Sequence, residues 1–182
     1  MEAVTSLVNL MLVGGLDQDG NEIIYGGRLI ALKKKDGGLQ PIAIGYTLKR
    51  LAAKCANKYA TAMFASHFAP IQLGAEAAIQ AVRRHAQNLP KDYIIVKLDF
   101  KNAFNTLRRD TMLEAILRVL PELYKFAHAT YNGAPVLQFG EFTILSAEGL
   151  QQGDSLYSAE FCLAIHPLLR GLISELKVCL SR

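Results

Sequence analysis

The sequence predicts an α+β domain in which helices pack on a small antiparallel sheet. Three observations carry that expectation. Two hairpin signals lie toward opposite ends of the chain. Helical periodicity fills most of the space between and after them. One continuous apolar run sits in the middle, flanked by helical stretches. At 182 residues the chain is long enough for one hydrophobic core.

The first hairpin is read from GGRLIALKKKDGGLQPIAIG. Residues 29–34 and 39–44 form two short strand-like runs around Asp36-Gly37-Gly38, and an Asp-Gly step between apolar runs favours a tight turn. Pro41 cannot donate to a ladder, which places the second strand at a sheet edge. From Thr47 the period changes: Leu48, Leu51, Ala52, Cys55, Tyr59, Ala62 and Met63 recur at helical spacing, with Thr47 as candidate N-cap and Pro70 closing the region. A second helix is expected over 75–87, with Ala78, Ile79 and Val82 on one side, Arg83-Arg84 on the other, and Pro90 beyond its end.

The run at 94–98, apolar but for Lys97, reads as a strand buried on both faces. Residues 111–119 are helical, with Asp110 as candidate cap, and Pro121 opens another helix that runs to about Tyr131, before Asn132-Gly133. Residues 136–139 and 142–145 around Gly140-Glu141 give the second hairpin. A last helix is expected over 155–178, with an apolar stripe of Leu156, Phe161, Ile165, Leu168, Leu169 and Leu172 and a bend at Pro167.

Composition excludes several classes. With 51% hydrophobic and 20% charged residues the chain is not disordered. No run approaches the roughly 18 apolar residues of a membrane span, so no membrane partner is expected. The opening MEAVTSLVNLMLVGG begins with Glu2 and has no basic n-region, so it is not read as a signal peptide. Cys55, Cys162 and Cys179 are far apart, odd in number and without C-x-x-C spacing, which suits neither a zinc site nor a disulfide framework. An intracellular setting, nucleus or cytoplasm, is expected. His67, His85, His128 and His166 show no metal-ligand spacing. Counted from Asp17, the stretch Asp17-Gln18-Asp19-Gly20-Asn21-Glu22 has Glu22 at position 6, where a calcium loop needs glycine, and Arg28 follows at position 12, where it needs glutamate, so it reads as a turn. The net charge of +4 is compatible with a polyanionic partner.

One acid stands out. Asp99 follows the apolar run inside VKLDFKNAFNTLRRD, at the rim where a carboxylate can hold Mg²⁺. Two-metal phosphoryl chemistry needs acids from at least two strands. No two acidic residues are adjacent in this chain. The acids after Asp99 fall mostly on expected helices or turns, and none lies at a strand rim between apolar residues. On these grounds alone Asp99 is as readily a helix cap or a surface acid as a ligand.

Three blocks in order resemble the reverse transcriptase (RNA-directed DNA polymerase) of non-LTR retrotransposons. LIALKKKDGGLQPIAIGYTLKRLAAKCA resembles the fingers block, VKLDFKNAFNTLRRD motif A, and EGLQQGDSLYSAEFCLAIHPLL motif B. PIQLGAEAAIQAVRR resembles a shortened link between fingers and palm, so the resemblance spans about residues 28–169. It implies the fingers and partial palm of a right-hand polymerase. Residues 1–90 would be fingers-like with an N-terminal segment, and residues 91–182 a partial palm.

The resemblance also implies roles. Asp99 matches the first catalytic, Mg²⁺-holding aspartate. Phe104 matches the aromatic gate against a 2′-hydroxyl; its plain alternative is a core aromatic. Gln152 and Gly153 match the motif B turn at the nucleotide, with a loop glycine before a helix as the alternative. Lys34 matches the fingers lysine on the triphosphate, or else is part of a solvated hairpin tip. The implied partners are an RNA or DNA template–primer and deoxynucleotides.

Other positions depart from the family pattern. Gln40 stands before Pro41 where arginine is usual, and lacks its charged fork. Ser155 and Tyr157 stand where motif B carries an apolar Pro–Gly turn, and Glu160 brings a charge to an apolar position. The sequence reaches Arg182 without the family's paired-aspartate hairpin or thumb. The expectation is therefore a truncated, catalytically incomplete nucleotidyltransferase that holds Mg²⁺ weakly. The alternatives are a nucleic-acid-binding remnant and the non-functional product of a decayed mobile element. An open edge on the 94–98 strand would promote self-association.

Overall fold

The computed structural model describes residues 1–35, 37–69, 71–72, 75–91, 94–97 and 99–176. Among them the chain is α+β. Its helices are α1 (Glu2–Leu12), α2 (Gln18–Ile24), α3 (Thr47–Phe68), α4 (Ala75–Gln87), α5 (Arg109–Val119), α6 (Pro121–Tyr131) and α7 (Tyr157–Leu176). Its strands are β1 (Gly27–Lys33), β2 (Leu39–Gly45), β3 (Val136–Phe139) and β4 (Phe142–Leu145). The four strands form one sheet in the order β2-β1-β3-β4.

Both hairpins form. β1 and β2 pair antiparallel from Gly27↔Gly45 to Lys33↔Leu39, and β3 and β4 pair antiparallel around Gly140-Glu141. Pro41 lies on the edge strand, as its missing donor requires. Asp36 of the first turn lies outside the described residues. The sheet is not purely antiparallel, however. β1 pairs parallel with β3 through Gly27↔Leu137 and Arg28↔Gln138. Sequence pattern sees hairpins, which are local; this pairing joins residues 110 positions apart and leaves no local signal. Gly26 makes the junction possible, because a Cβ there would strike the Val136 carbonyl.

The helices bury their apolar faces in one core that includes Met11, Tyr25, Ala52, Phe64, Met112, Ile116, Phe126, Leu156 and Leu163. α5 packs on α6 and α7, and α3 on α1 and α7. Tyr25 joins the layers: its hydroxyl donates to the Met11 carbonyl at 3.0 Å and its ring meets Phe126 edge-on at 5.9 Å. Burying one such aromatic contributes about 1.5–3 kcal/mol. α4 forms as expected, but none of its described side chains is buried; Ile79 and Val82 are exposed.

Several expectations are corrected. Tyr46, not Thr47, is the N-cap of α3; its backbone is still extended after β2, and no side chain caps the helix. The 17–22 stretch is not a turn. Asp17 accepts from the Gly20 N–H at 2.8 Å and starts α2. Asp110 is not the cap of α5 but lies in its first turn, after the N-cap Arg108. α7 starts at Tyr157 rather than Ser155 and continues through Pro167; its expected end at Val178 lies outside the described residues.

The largest correction concerns the expected strand over 94–98. Residues 94–97 belong to no strand or helix, and Ile94, Ile95 and Val96 are 83%, 54% and 64% exposed. Leu98 lies outside the described residues. A strand exists through its ladder, and no described strand runs beside this segment to satisfy its N–H and C=O groups. The open sheet edge expected there is found instead on β4, the last strand of the order. Among the described residues no helix is long and apolar enough to cross a membrane.

Candidate functional site

A cleft of about 370 Å³ opens between the first hairpin and the segment that leads into α7. Leu29, Pro41 and Ala43 come from β1 and β2, Asn105 from the turn before α5, Leu145 and Ser146 from the end of β4, and Leu150, Gln151 and Gln152 from the turn before α7. Its walls are largely apolar, and its polar groups are the amides of Asn105, Gln151 and Gln152, the Ser146 hydroxyl and the Glu148 carboxylate at the rim. Apolar walls with amide donors and acceptors suit a flat ligand that is stacked and hydrogen-bonded.

Backbone contacts hold the three sequence segments together. The Leu150 N–H donates to the Phe104 carbonyl at 2.8 Å, and the Ala43 N–H donates to the Gln152 carbonyl at 2.8 Å. Gly153 has φ +120°, and a Cβ on it would sit 2.5 Å from the Ala43 carbonyl oxygen. Glycine is required there twice over, by conformation and by space. Arg109 braces the far wall. Its guanidinium donates to the carbonyls of Gly149 at 2.9 Å, Gly133 at 3.0 Å and Glu148 at 3.2 Å, and to Ser146 Oγ at 2.9 Å, while lying over the Tyr131 ring.

Beneath the cleft floor lies a buried polar cluster. Lys49 on α3 is 1% exposed. Its ammonium donates to the Tyr25 carbonyl at 3.1 Å and to Gln151 Oε1, and pairs with Asp154 at 3.5 Å. Asp154 also accepts from the Leu156 N–H at 3.0 Å, which fixes the turn into α7. Burial draws the Lys49 ammonium below its ordinary pKa, opposed by Asp154. Glu160, on the buried face of α7, is pushed up to about 8 by burial and then by Asp154, against the pull of Lys49. It is therefore mostly neutral at pH 7, and Lys49 and Asp154 balance each other. Tyr131 faces Glu160, and burial raises its hydroxyl well above the usual phenol value. Neither Tyr131 Oη nor Glu160 Oε2 reaches a partner at hydrogen-bond geometry among the described residues.

The residues singled out from sequence are distributed unevenly. Gln152 lines the cleft and Gly153 closes its turn. Phe104 lies beside them, but its ring packs on Tyr157 at 4.9 Å and Phe161 at 4.7 Å, as a core aromatic does. Tyr157 is thus a packing partner of Phe104, and Ser155 is half-buried in the same turn. Gln40 sits in β2 opposite Leu32. Lys34 is exposed at the tip of the first hairpin, where its backbone closes the turn with Gly37 and Gly38. Asp99 is exposed in irregular chain ahead of a turn nucleated at Asn102, which has φ 52° and whose carbonyl accepts from the Asn105 and Thr106 N–H groups. Among the described residues no three His, Cys, Asp or Glu side chains are grouped to hold a metal.

Lys49, Tyr131, Gln151, Asp154 and Arg109 were not foreseen from the sequence. Periodicity carried part of the signal. Lys49 falls three and four residues before Ala52 and Ala53, on the small-residue face of α3. Glu160 falls at helical spacing from Leu156, Leu163 and Ala164. A charge on a buried face implies a buried partner, but its identity depends on which helices meet. Compared with known proteins, no family model matches this chain, and no curated protein matches it significantly.

Proposed function

We propose that this chain is a reverse-transcriptase-like domain, built as fingers and partial palm, that binds nucleic acid and does not polymerise DNA as the isolated 182-residue chain. One observation carries the reading. The three blocks that resemble fingers, motif A and motif B are far apart in sequence, yet each contributes to one cleft, through Ala43, Asn105 and Gln152. The cleft's apolar walls and amides suit the face and edge of a nucleobase, and exposed Lys33, Lys34 and Lys35 at the hairpin tip suit phosphates. Asp99 is the one acid that the resemblance assigns to a metal, and it is exposed in irregular chain rather than at a strand rim. One carboxylate does not position two Mg²⁺ ions, so loss of that electrostatic stabilisation removes several kcal/mol from any transfer step.

Two assays on the same preparation test this. Fluorescence anisotropy with a labelled RNA–DNA primer–template should show binding in the non-specific range, Kd about 10⁻⁴–10⁻⁶ M, weakening steeply with salt. Asn105→Leu should weaken it further without changing the thermal melt. Primer extension with Mg²⁺ or Mn²⁺ should give no added nucleotide. No binding at low salt defeats the nucleic-acid reading, and template-directed extension defeats the claim of inactivity.

A further inference from the structure

One side chain fastens the chain between α3 and α4 to α7. At the end of α3 the Ile71 and Gln72 N–H groups donate to the Phe68 carbonyl at 2.9 and 2.8 Å and close a turn. The Gln72 amide nitrogen then donates to the Cys162 carbonyl at 2.8 Å and meets His166 Nδ1 at 3.2 Å. Among the described residues of 71–91, no other side chain is hydrogen-bonded to another element, and none on α4 is buried.

This contact admits one protonation state of His166. A carbonyl oxygen only accepts, so the amide must turn its nitrogen to Cys162. The second N–H of that nitrogen faces Nδ1, which must offer a lone pair. The imidazole is therefore neutral, with its proton on Nε2. A proton on Nδ1 would set N–H against N–H. Turning the amide over would give Nδ1–H an oxygen, but would set that oxygen against the Cys162 carbonyl. The surroundings do not favour a cation either. His166 is 4% exposed. His67 of α3 lies 4.6 Å away, ring to ring, and Phe68 5.8 Å. On α7 its ionisable neighbours are Cys162 and Arg170, and Ile71 and Gln72 bring none. Among the described residues no carboxylate acts on the ring; burial, His67 and Arg170 all hold its pKa below the ordinary 6.5.

We propose that Gln72 and His166 form an acid-released latch. At neutral pH the amide docks residues 71–72 on α7 and so positions α4; protonation of His166 at Nδ1 expels the amide and frees α4 from that tether. The docked state binds fewer protons than the undocked one. Docking is therefore complete above about pH 6.5 and is lost as pH falls through the lower value of the docked ring. The latch is independent of the nucleic-acid reading.

Imidazole NMR and hydrogen exchange on the full chain test it. At neutral pH His166 should carry its proton on Nε2, and it should titrate below 6.5. The Gln72 amide should lose protection on acidification, about tenfold for each pH unit by which His166 titrates below a free imidazole. The amides of α7 should not lose protection with it, because protonated Glu160 strengthens the core over the same interval. Gln72→Glu reverses the sign. Its carboxylate accepts from a protonated Nδ1 and repels the Cys162 carbonyl, so His166 should titrate above 6.5 and residues 71–72 should dock on acidification instead of leaving. A proton on Nδ1 at neutral pH, a midpoint at or above 6.5 in the parent, unchanged protection of Gln72, or the same sign in Gln72→Glu would each overturn the proposal.

Discussion

Residues 94–97 with Asp99, and residues 150–156, lie outside the regular elements, and each group carries one aspartate, yet their environments are opposite. Asp154 is buried, paired with Lys49 and bonded to the Leu156 N–H. Asp99 is exposed, and so are the described residues of the apolar run before it. The difference comes from what surrounds each segment. The later turn is clamped by β2, the turn before α5 and the first turns of α7. The earlier run has no neighbouring strand. Apolar and acidic residues acquire a structural role only where other elements supply partners.

The sharpest way to break that comparison is to remove each carboxylate. Asp154→Ala leaves the Lys49 ammonium buried without its counter-charge and should cost about 3–5 kcal/mol. Asp99→Ala should stay within about 0.5 kcal/mol. Urea unfolding at pH 7 measures both. Similar losses from the two substitutions would mean that the contrast in burial has no energetic content. Lys49→Met combined with Asp154→Leu should recover much of the loss, since it removes the orphaned charge as well.

Glu160 gives the next largest effect, through pH. Its carboxyl has pKa 4.5 when unfolded and about 8 when folded. Between those values the unfolded state releases a proton that the native state keeps. Native stability therefore falls as pH rises from about 4.5 to about 8, and the deficit is constant above that. Glu160→Gln removes the titration. The variant should equal the parent near pH 4 and exceed it by about 3 kcal/mol at pH 7 and about 4 kcal/mol at pH 8. Parallel stability curves for the two proteins across that window would show that burial does not hold Glu160 neutral.

The same contrast governs what the sequence disclosed. Both hairpins, the helices over 75–87 and 121–131 and the edge position of Pro41 were legible, because turn chemistry and helical period are local signals. The strand expected over 94–98 does not form over 94–97, because an apolar run does not show whether a partner strand lies beside it. The β1–β3 parallel pairing was invisible because it depends on Gly26 meeting Val136, far along the chain. Of the residues singled out from the sequence, Gln152 lines the cleft and Gly153 lies against Ala43 in the same turn. The Lys49–Asp154–Glu160 cluster was not, although the departure at Glu160 was visible as a charge on an apolar face.

Gly153 should be less costly than the buried charges. With φ +120° and an added Cβ only 2.5 Å from the Ala43 oxygen, Gly153→Ala must either strain or lift the turn from β2. A loss of about 1–3 kcal/mol is expected. Gly37→Ala is its control: φ is +85°, but nothing lies within reach of a Cβ, so only the conformational part, about 1 kcal/mol, should appear. The difference between the two isolates the contact that ties the motif B-like turn to the first hairpin.

Val96→Ser gives the smallest expected effect and the clearest discrimination. Had residues 94–98 formed a strand buried on both faces, this change would remove a buried side chain and leave a hydroxyl without a partner, at a cost of about 2–3 kcal/mol. With Val96 64% exposed in irregular chain, it should change the stability of the monomer by less than about 0.5 kcal/mol. The measurement belongs at low protein concentration, where the monomer is the species that unfolds. A large loss at low concentration would restore the buried strand and, with it, the metal-facing rim for Asp99.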